Sequence, residues 1–481
     1  MSDTATTTGR QAHGLRPATI TFLLVLDVVA LVILLAQQGA FTSQSLRPLC
    51  QWAALIAALA ILQVTGVSPR RIWALPAVFG ITMLVFYQGM AGVYATGAEL
   101  DDPLLAIGRT GWFYTPENRL AIYIAMLSLL AYTIGVLSVA RFAKRAHAVP
   151  PPDPARERAL GVLGLLMVGG ALAVWLHGLT TSAGLGMLVS SYGQYLDATA
   201  QVRSGVIFLC MNLGVAFLAA AAPSPQQRVG FVLVGLWAVL AFSLGLRGEI
   251  LFPAAIMAVL LARRGIMLPM RWVLVGVFGL LFLIPFIKHM RKVGLSEVAS
   301  AQIQFSPLGT FTELGASLAP LTYTISWVEN GDPLLRGGSY LAPFDRALVY
   351  ILPGKARIPA AQDFRISNVV VALRVGNIGY SILAEGYRNF GLWGSLLAMA
   401  LLGMLAMKFE TLPSSLLHNA WLGIIFTPLL MHVRNSFVFV PAHIFVGFAI
   451  LFIFTLVVRV RTTAPATLPA GDASVRPEGA A

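Results

Sequence analysis

The sequence predicts an all-α integral membrane protein, a polytopic bundle of about twelve transmembrane helices with one large extracytoplasmic loop. Three observations lead there. Hydrophobic residues make up 57% of the 481 and charged ones only 11%, with a mean hydropathy of +0.79. Apolar runs approaching the roughly 20 residues that a helix needs to cross a bilayer recur from Pro17 almost to the end. The stretch from Lys288 to Arg388 interrupts that rhythm and is too long for an idle turn.

Residues 1–16 and 462–481 are rich in Thr, Ala, Pro and Gly, lack apolar periodicity, and read as disordered cytoplasmic tails around a membrane domain spanning 17–461. The first apolar segment, Pro17 to Gln38, follows only Arg10 and Arg16 and has no small-residue cleavage site behind it, so it reads as an uncleaved anchor. Leu49 to Val67 and Ile72 to Ala95 follow, separated by Arg70 and Arg71, and then Leu120 to Ala140. The proline-rich turn Val149 to Pro154 reads as a stiff connector between this four-helix group and the remainder. Ala159 to Leu179, Gly205 to Ala222, Val229 to Leu246, Ile250 to Ala262 and Trp272 to Ile287 lead into the long loop. Phe390 to Met407, Leu416 to Met431 and Phe437 to Val458 complete the set. No internal repeat is visible.

The net charge of +13 would point to nucleic acid in a soluble protein, but here it follows the distribution expected of a membrane protein. With the N-terminus inside, 17 of the 33 Lys and Arg fall in cytoplasmic tails and turns, 6 in short outer turns and 10 in the long outer loop. Long loops do not set orientation, so both termini are expected in the cytoplasm and no nucleic acid is expected as a partner. Cys50 and Cys210 both lie in apolar segments, so no disulfide framework or cysteine metal site is expected.

Within the loop, Phe311, Leu314, Leu318, Leu321 and Ile325 keep helical spacing, which predicts an amphipathic helix on the membrane surface or over the bundle mouth. Gly337 to Tyr340 and Leu352 to Gly354 read as turns.

Three charged constellations stand at the outer ends of apolar segments. Arg247, Gly248 and Glu249 join two of them, and an Arg and a Glu at membrane depth are costly unless paired or functional. Arg434 lies between the last two segments beside His432, Asn435 and Ser436, which offer more hydrogen bonding than an anchor needs. Arg374 precedes Ser381, Glu385 and Arg388, and the last two, three apart, share a helical face. Each also has a plain reading: a charged turn, a snorkelling arginine, and a local ion pair.

Guanidinium groups bind phosphate oxygens in pairs and stay charged at any physiological pH, so several arginines at one face fit a diphosphate held at headgroup level. A carboxylate such as Glu385 or Glu249 could take a proton from an attacking hydroxyl. Glu99 with Asp101 and Asp102 reads as an acidic turn rather than a cation site, and His177, His443 and Asp27 as polar packing. No metal-ligand spacing, nucleotide motif or cofactor motif is present.

On Leu246-Arg247-Gly248-Glu249, Gly338-Ser339-Tyr340 leading to Leu352-Pro353, Ser381 through Glu385-Gly386-Tyr387-Arg388-Asn389-Phe390-Gly391, and Arg434-Asn435-Ser436, the chain resembles the bacterial O-antigen and capsular repeat-unit polymerases, the Wzy-type family. The resemblance implies a metal-independent integral-membrane glycosyltransferase without cofactor, taking a polyprenyl-diphosphate-linked oligosaccharide as donor and a second such unit as acceptor. It implies a place in the bacterial plasma membrane, with a flippase and a chain-length regulator as partners. On this reading Arg247, Arg374, Arg388 and Arg434 hold the diphosphates, with Arg434 also serving the reaction, and Glu385 is the first candidate for the base, ahead of Glu249. Arg291, Lys292, Arg336, Lys355, Arg357 and Arg365 also fall outside and are not ranked against these four. Two rivals remain: an O-antigen ligase, which the sequence does not separate from a polymerase, and a lipid-linked oligosaccharide flippase, which would carry charges along its spans.

Overall fold

The computed structural model describes residues 15–100, 110–142, 153–183, 204–244, 246, 248–293, 306–349 and 358–463, and among them the chain is helical with no strand. Eight helices are long and apolar enough to cross a membrane: Pro17–Ala36, Leu46–Val67, Leu75–Ala95, Pro116–Ala140, Pro154–Thr181, Pro225–Phe242, Ile382–Thr411 and Phe437–Val458. Gly205–Ala220, Met270–Leu283 and Leu416–Met431 are apolar but shorter. The segment expected from Ile250 is the helix Gly248–Arg263, whose 16 residues rise about 24 Å, less than the ~30 Å hydrocarbon core. Both expected disordered tails, apart from residues 15 and 16 and the 462–463 helix end, lie outside the described residues.

Helix starts follow from local chemistry. Thr115, Ser224, Ser381 and Ser415 each accept, through the side-chain oxygen, the backbone N–H three residues on, satisfying a donor that the helix leaves unpaired. Pro116 and Pro225 follow two of these caps, where a missing N–H costs nothing.

The Pro116–Ala140 helix is the centre of the bundle. Of its spanning window 89% is buried, against 17% for Pro17–Ala36 and for Phe437–Val458, which present their apolar surface outward. Its principal partner is the Ile382–Thr411 helix. At Gly135 a Cβ would stand 2.1 Å from the carbonyl oxygen of Ala400, and at Gly403 one would stand 2.2 Å from that of Tyr132, so the two backbones touch where neither carries a side chain. Tyr132 and Tyr123 donate their hydroxyls to the carbonyls of Pro76 and Leu34, at 2.7 and 2.6 Å, tying two further helices to the same axis.

The expected separation of a four-helix N-terminal group is therefore corrected: these helices and Ile382–Thr411 share one hydrophobic core. Small residues at the contact let the two helices approach this closely, and they leave no mark in a hydropathy profile. Most of the proline-rich connector, 149–152, lies outside the described residues. A second core forms around Trp175 and Trp237 among Pro154–Ala183, Ser204–Ala220 and Pro225–Ser243.

The long loop is also corrected where it is described. In place of one amphipathic helix on the membrane surface or over the bundle mouth, Pro307–Gly315 and Ala319–Glu329 are joined by a tight turn at Ala316–Leu318, and Leu318, Leu321 and Ile325 are buried in the main core. The face that looked polar is buried too, because its threonines find partners. Thr322 donates to Asn118 Oδ1 at 2.9 Å, Thr324 shares a 2.8 Å bond with the Tyr380 hydroxyl, and Thr310 donates to the Leu281 carbonyl at 3.0 Å. Gly337 and Gly338, read as a turn, open the helix Gly338–Leu348, and 352–354 lie outside the described residues.

The helix expected from Phe390 begins eight residues earlier, at Ile382. Phe390 and Gly391 leave helical geometry, and the chain doubles back there: Ser395 donates to the Leu383 carbonyl at 2.8 Å, and Gly386 lies against the backbone of Gly394. The turn carrying Glu385 and Arg388 is thus tucked against the spanning helix.

Candidate functional site

The Ser381 cap sets the first turn of this hairpin and places Glu385 inward, 1% exposed. Its Oε2 accepts from the backbone N–H of Phe437 at 2.6 Å and lies 3.1 Å from the ring Nε2 of His432. His432 closes the Leu416–Met431 helix and is 2% exposed. The plain reading of a local ion pair between Glu385 and Arg388 gives way to this: the two residues share a helical turn but serve different partners.

Arg388 is buried and reaches Asp332 at 3.0 Å, while Arg374, half exposed and 4.9 Å above the Trp327 ring, reaches the same carboxylate oxygen at 2.6 Å. Burial opposes ionisation of Asp332, but the hydrogen bond from Arg374 and the charges of Arg388 and Arg374 outweigh it and hold the carboxyl below its ordinary value. Two guanidiniums thus share one carboxylate and leave a positive excess. Asp332 was not among the residues that the sequence singled out, since an acidic residue in Asn330-Gly331-Asp332 looks like a plain turn.

Asn389 holds the frame. Its Oδ1 accepts from the N–H groups of Gly337 and Ser339, and its Nδ2 donates to Ser339 Oγ and the Glu385 carbonyl, at 2.7 Å each. The backbones of Leu335 and Arg336 donate to the carbonyls of Arg388 and Asn389. Arg434 arrives by a different route. Tyr380 N–H donates to its carbonyl at 3.2 Å, and Gly379, at φ +79°, passes so close that a Cβ would stand 2.5 Å from that oxygen. Only glycine meets both demands. On the opposite side Tyr87, in a π-helical turn at Leu84–Gln88, donates its hydroxyl to the Val433 carbonyl at 2.7 Å.

Four of the six residues singled out, Glu385, Arg374, Arg388 and Arg434, therefore converge. Glu249 sits in the first turn of Gly248–Arg263. Arg263 at the other end of that helix bonds Asn419, so the antiparallel pair brings Glu249 to the same end of the bundle as His432. Arg247 lies outside the described residues. Among the unranked arginines, Arg365 is committed to Asp363 and Asp345, at 3.0 and 2.6 Å. Burial opposes the ionisation of Asp363, yet the bonds from Arg365 and Arg346 hold its carboxyl below the usual range.

Among the described residues, several buried polar atoms here have no hydrogen-bond partner: His432 Nδ1, Ser436 Oγ, Arg388 Nη1, and both amide atoms of Gln88, the neighbour of Tyr87. Burial pushes the hydroxyls of Tyr340 and Tyr380 up, and the negative charge of Glu385 adds to the effect. Tyr340 stacks edge-on with Phe437, their rings 5.2 Å apart. Beyond Phe437 an apolar cavity of about 720 Å³ opens between Gly338–Leu348 and the last helix, lined by Pro343, Phe344, Ile366, Phe439 and Phe445 with Arg346 at its edge.

Elsewhere, Glu99 pairs with Arg47 at 2.6 Å and Asp27 accepts from Gln63 at 3.1 Å, while 101–102 lie outside the described residues. Both cysteines are free. Among the described residues, no three His, Cys, Asp or Glu side chains are placed to share a metal ion.

The family model described as O-antigen polysaccharide polymerase Wzy matches residues 19–463. Protein CapE of Staphylococcus aureus is 26% identical over 369 residues, covering 74% of this chain and 79% of that one. No solved structure matches.

Proposed function

The chain belongs to the O-antigen polysaccharide polymerase Wzy family, and from that premise we propose that it joins polyprenyl-diphosphate-linked oligosaccharide repeat units into a surface polysaccharide at the outer face of the bacterial plasma membrane. The observation that carries the reading is the junction of two unlike surfaces. A buried cationic and hydrogen-bonding site meets, across Phe437 to Phe439, an apolar cavity large enough for hydrocarbon. A substrate with a diphosphate head and an isoprenoid tail has that same division.

In this reading Arg374, Arg388 and Arg434, with Arg247, hold the two diphosphates and stabilise the negative charge that develops on the leaving group. Asp332 spaces Arg374 and Arg388 and keeps them in place. The acceptor hydroxyl loses its proton to the Glu385 and His432 pair, with Glu249 as the second carboxylate at that end. The about twelve spans, cytoplasmic termini, and a flippase and chain-length regulator as partners belong to the same proposal. The charge asymmetry of the turns supports the orientation.

The test is an electrophoretic profile of surface and lipid-linked glycan from cells lacking the protein, complemented with wild type or with Arg434→Ala. Long chains that collapse to a single exported repeat unit, and return with wild type but not with the variant, support the proposal. Polymer accumulating on its lipid carrier would make the protein a ligase, and units trapped on the cytoplasmic face would make it a flippase.

A further inference from the structure

Glu385 looks like the base only while its partners are unknown. Its Oε2 already accepts from the Phe437 N–H and faces the His432 Nε2. A carboxylate oxygen that accepts requires a donor opposite it, so the ring nitrogen toward Glu385 is the one that carries hydrogen. In the neutral imidazole the lone pair is then on Nδ1. That atom is buried and has no hydrogen-bond partner among the described residues, an arrangement that costs free energy unless something else is bound there.

Resting on the polymerase reading, we propose that His432 Nδ1 is the atom that accepts the proton of the acceptor hydroxyl, and that Glu385 is a positioning residue that fixes the ring's tautomer and orientation. The acceptor O–H bond breaks with its proton going to Nδ1. The oxygen forms the bond to the anomeric carbon, and the carbon–oxygen bond to the diphosphate breaks with its electron pair leaving on phosphate. The imidazolium, facing the Glu385 carboxylate, then returns the proton to solvent. The unpartnered Nη1 of Arg388 and Oγ of Ser436 lie on the same two turns and are free to hold substrate oxygens. The titratable groups around the ring are Glu385 and Arg388 on the hairpin, Arg434 on its own turn, Tyr87 beneath Val433, and Tyr340 and Tyr380 beside Glu385.

The experiment uses the full chain in lipid nanodiscs with lipid-linked glycan extracted from cells lacking the protein, and follows chain extension against pH. His432→Ala is expected to slow extension about 100-fold or more, with part of the rate restored by added imidazole. Glu385→Gln is expected to retain more rate than His432→Ala and to move the acid limb of the pH profile to lower pH, because the imidazolium loses its carboxylate partner. The proposal is overturned if His432→Ala extends within a few-fold of wild type. It is equally overturned if Glu385→Ala is the slower variant and is rescued by formate but not imidazole. Should His432→Ala fail to fold, the shift of the acid limb between wild type and Glu385→Gln decides. A wild-type protein that does not lengthen the extract sinks the polymerase reading itself, which is a different result from extension that ignores His432.

Discussion

The Ile382–Thr411 helix carries a buried acid toward each end, and the two are treated in opposite ways. Glu410 accepts from Arg70 and from the Leu75 N–H, and Arg263 lies 3.9 Å from it. Arg263 in turn donates to Asn419 and to the carbonyls of Phe409, Glu410 and Leu412 at 2.9 to 3.1 Å, capping the end of the helix. Among the described residues, no buried side-chain nitrogen or oxygen of Glu410, Arg263 or Asn419 lacks a partner, whereas around Glu385 the atoms His432 Nδ1, Ser436 Oγ and Arg388 Nη1 do. About 22 Å of helix separates Ser395, packed against the Glu385 turn, from Glu410. A closed network fastens helices together, while an open one of the same residue types has bonds left to give.

The comparison can be broken from either side. Arg263→Ala strips the donor from Asn419 and from several buried carbonyls and leaves Arg70, among the described residues, as the one guanidinium bonded to Glu410, and should cost about 3–5 kcal/mol, read as a large loss of thermal stability in detergent and of protein in the membrane. Glu385→Gln should leave that stability nearly unchanged while shortening the polymer, and a matching loss of stability would erase the distinction. Gly135→Leu forces a side chain onto the Ala400 carbonyl and should cost about 1–3 kcal/mol, seen as a lower melting temperature.

Arg388→Ala should lower chain extension about 10-fold or more at modest cost in stability, because the guanidinium is buried and one of its nitrogens is unspent. Asp332 sharpens the contrast through pH. Its carboxyl is held below the ordinary value, so its contribution is present above the unfolded value of about 4 and is lost as pH falls through the lower folded one. Wild type should therefore lose stability on acidification below about pH 4 by more than Asp332→Asn does, in parallel melts. Arg374→Ala should have the smallest effect, at most about 1 kcal/mol in stability, since its bond to Asp332 is at the surface and screened. A measurable rise in the lipid-linked glycan needed for half-maximal rate would still place it at the diphosphate.

Much of this was legible in the chain. Helicity and spans follow from apolar runs, and Glu385, Arg388 and Arg434 stand out because charge at the ends of such runs is costly. The hairpin at Phe390 and Gly391 was not legible, since its glycines and apolar residues look like continuous helix. Nor was the burial of Thr322 and Thr324, whose partners Asn118 and Tyr380 lie far along the chain. His432 was visible as hydrogen-bonding capacity beside Arg434, but nothing local marked it as the partner of a carboxylate 47 residues earlier.

The sequence by itself determined that this protein folds in lipid as a helical bundle, because burial of backbone polar groups in hydrocarbon permits little else, and it determined which residues are too polar to sit there without cause. Tertiary structure alone decided how those residues pair. Glu385 turned from Arg388 to His432, Asp332 gathered Arg374 and Arg388, and Arg263 closed on Glu410. The physical reason is that hydropathy depends on each residue's own transfer free energy, whereas a buried hydrogen bond depends on two groups that only the packing of helices brings within 3 Å or so.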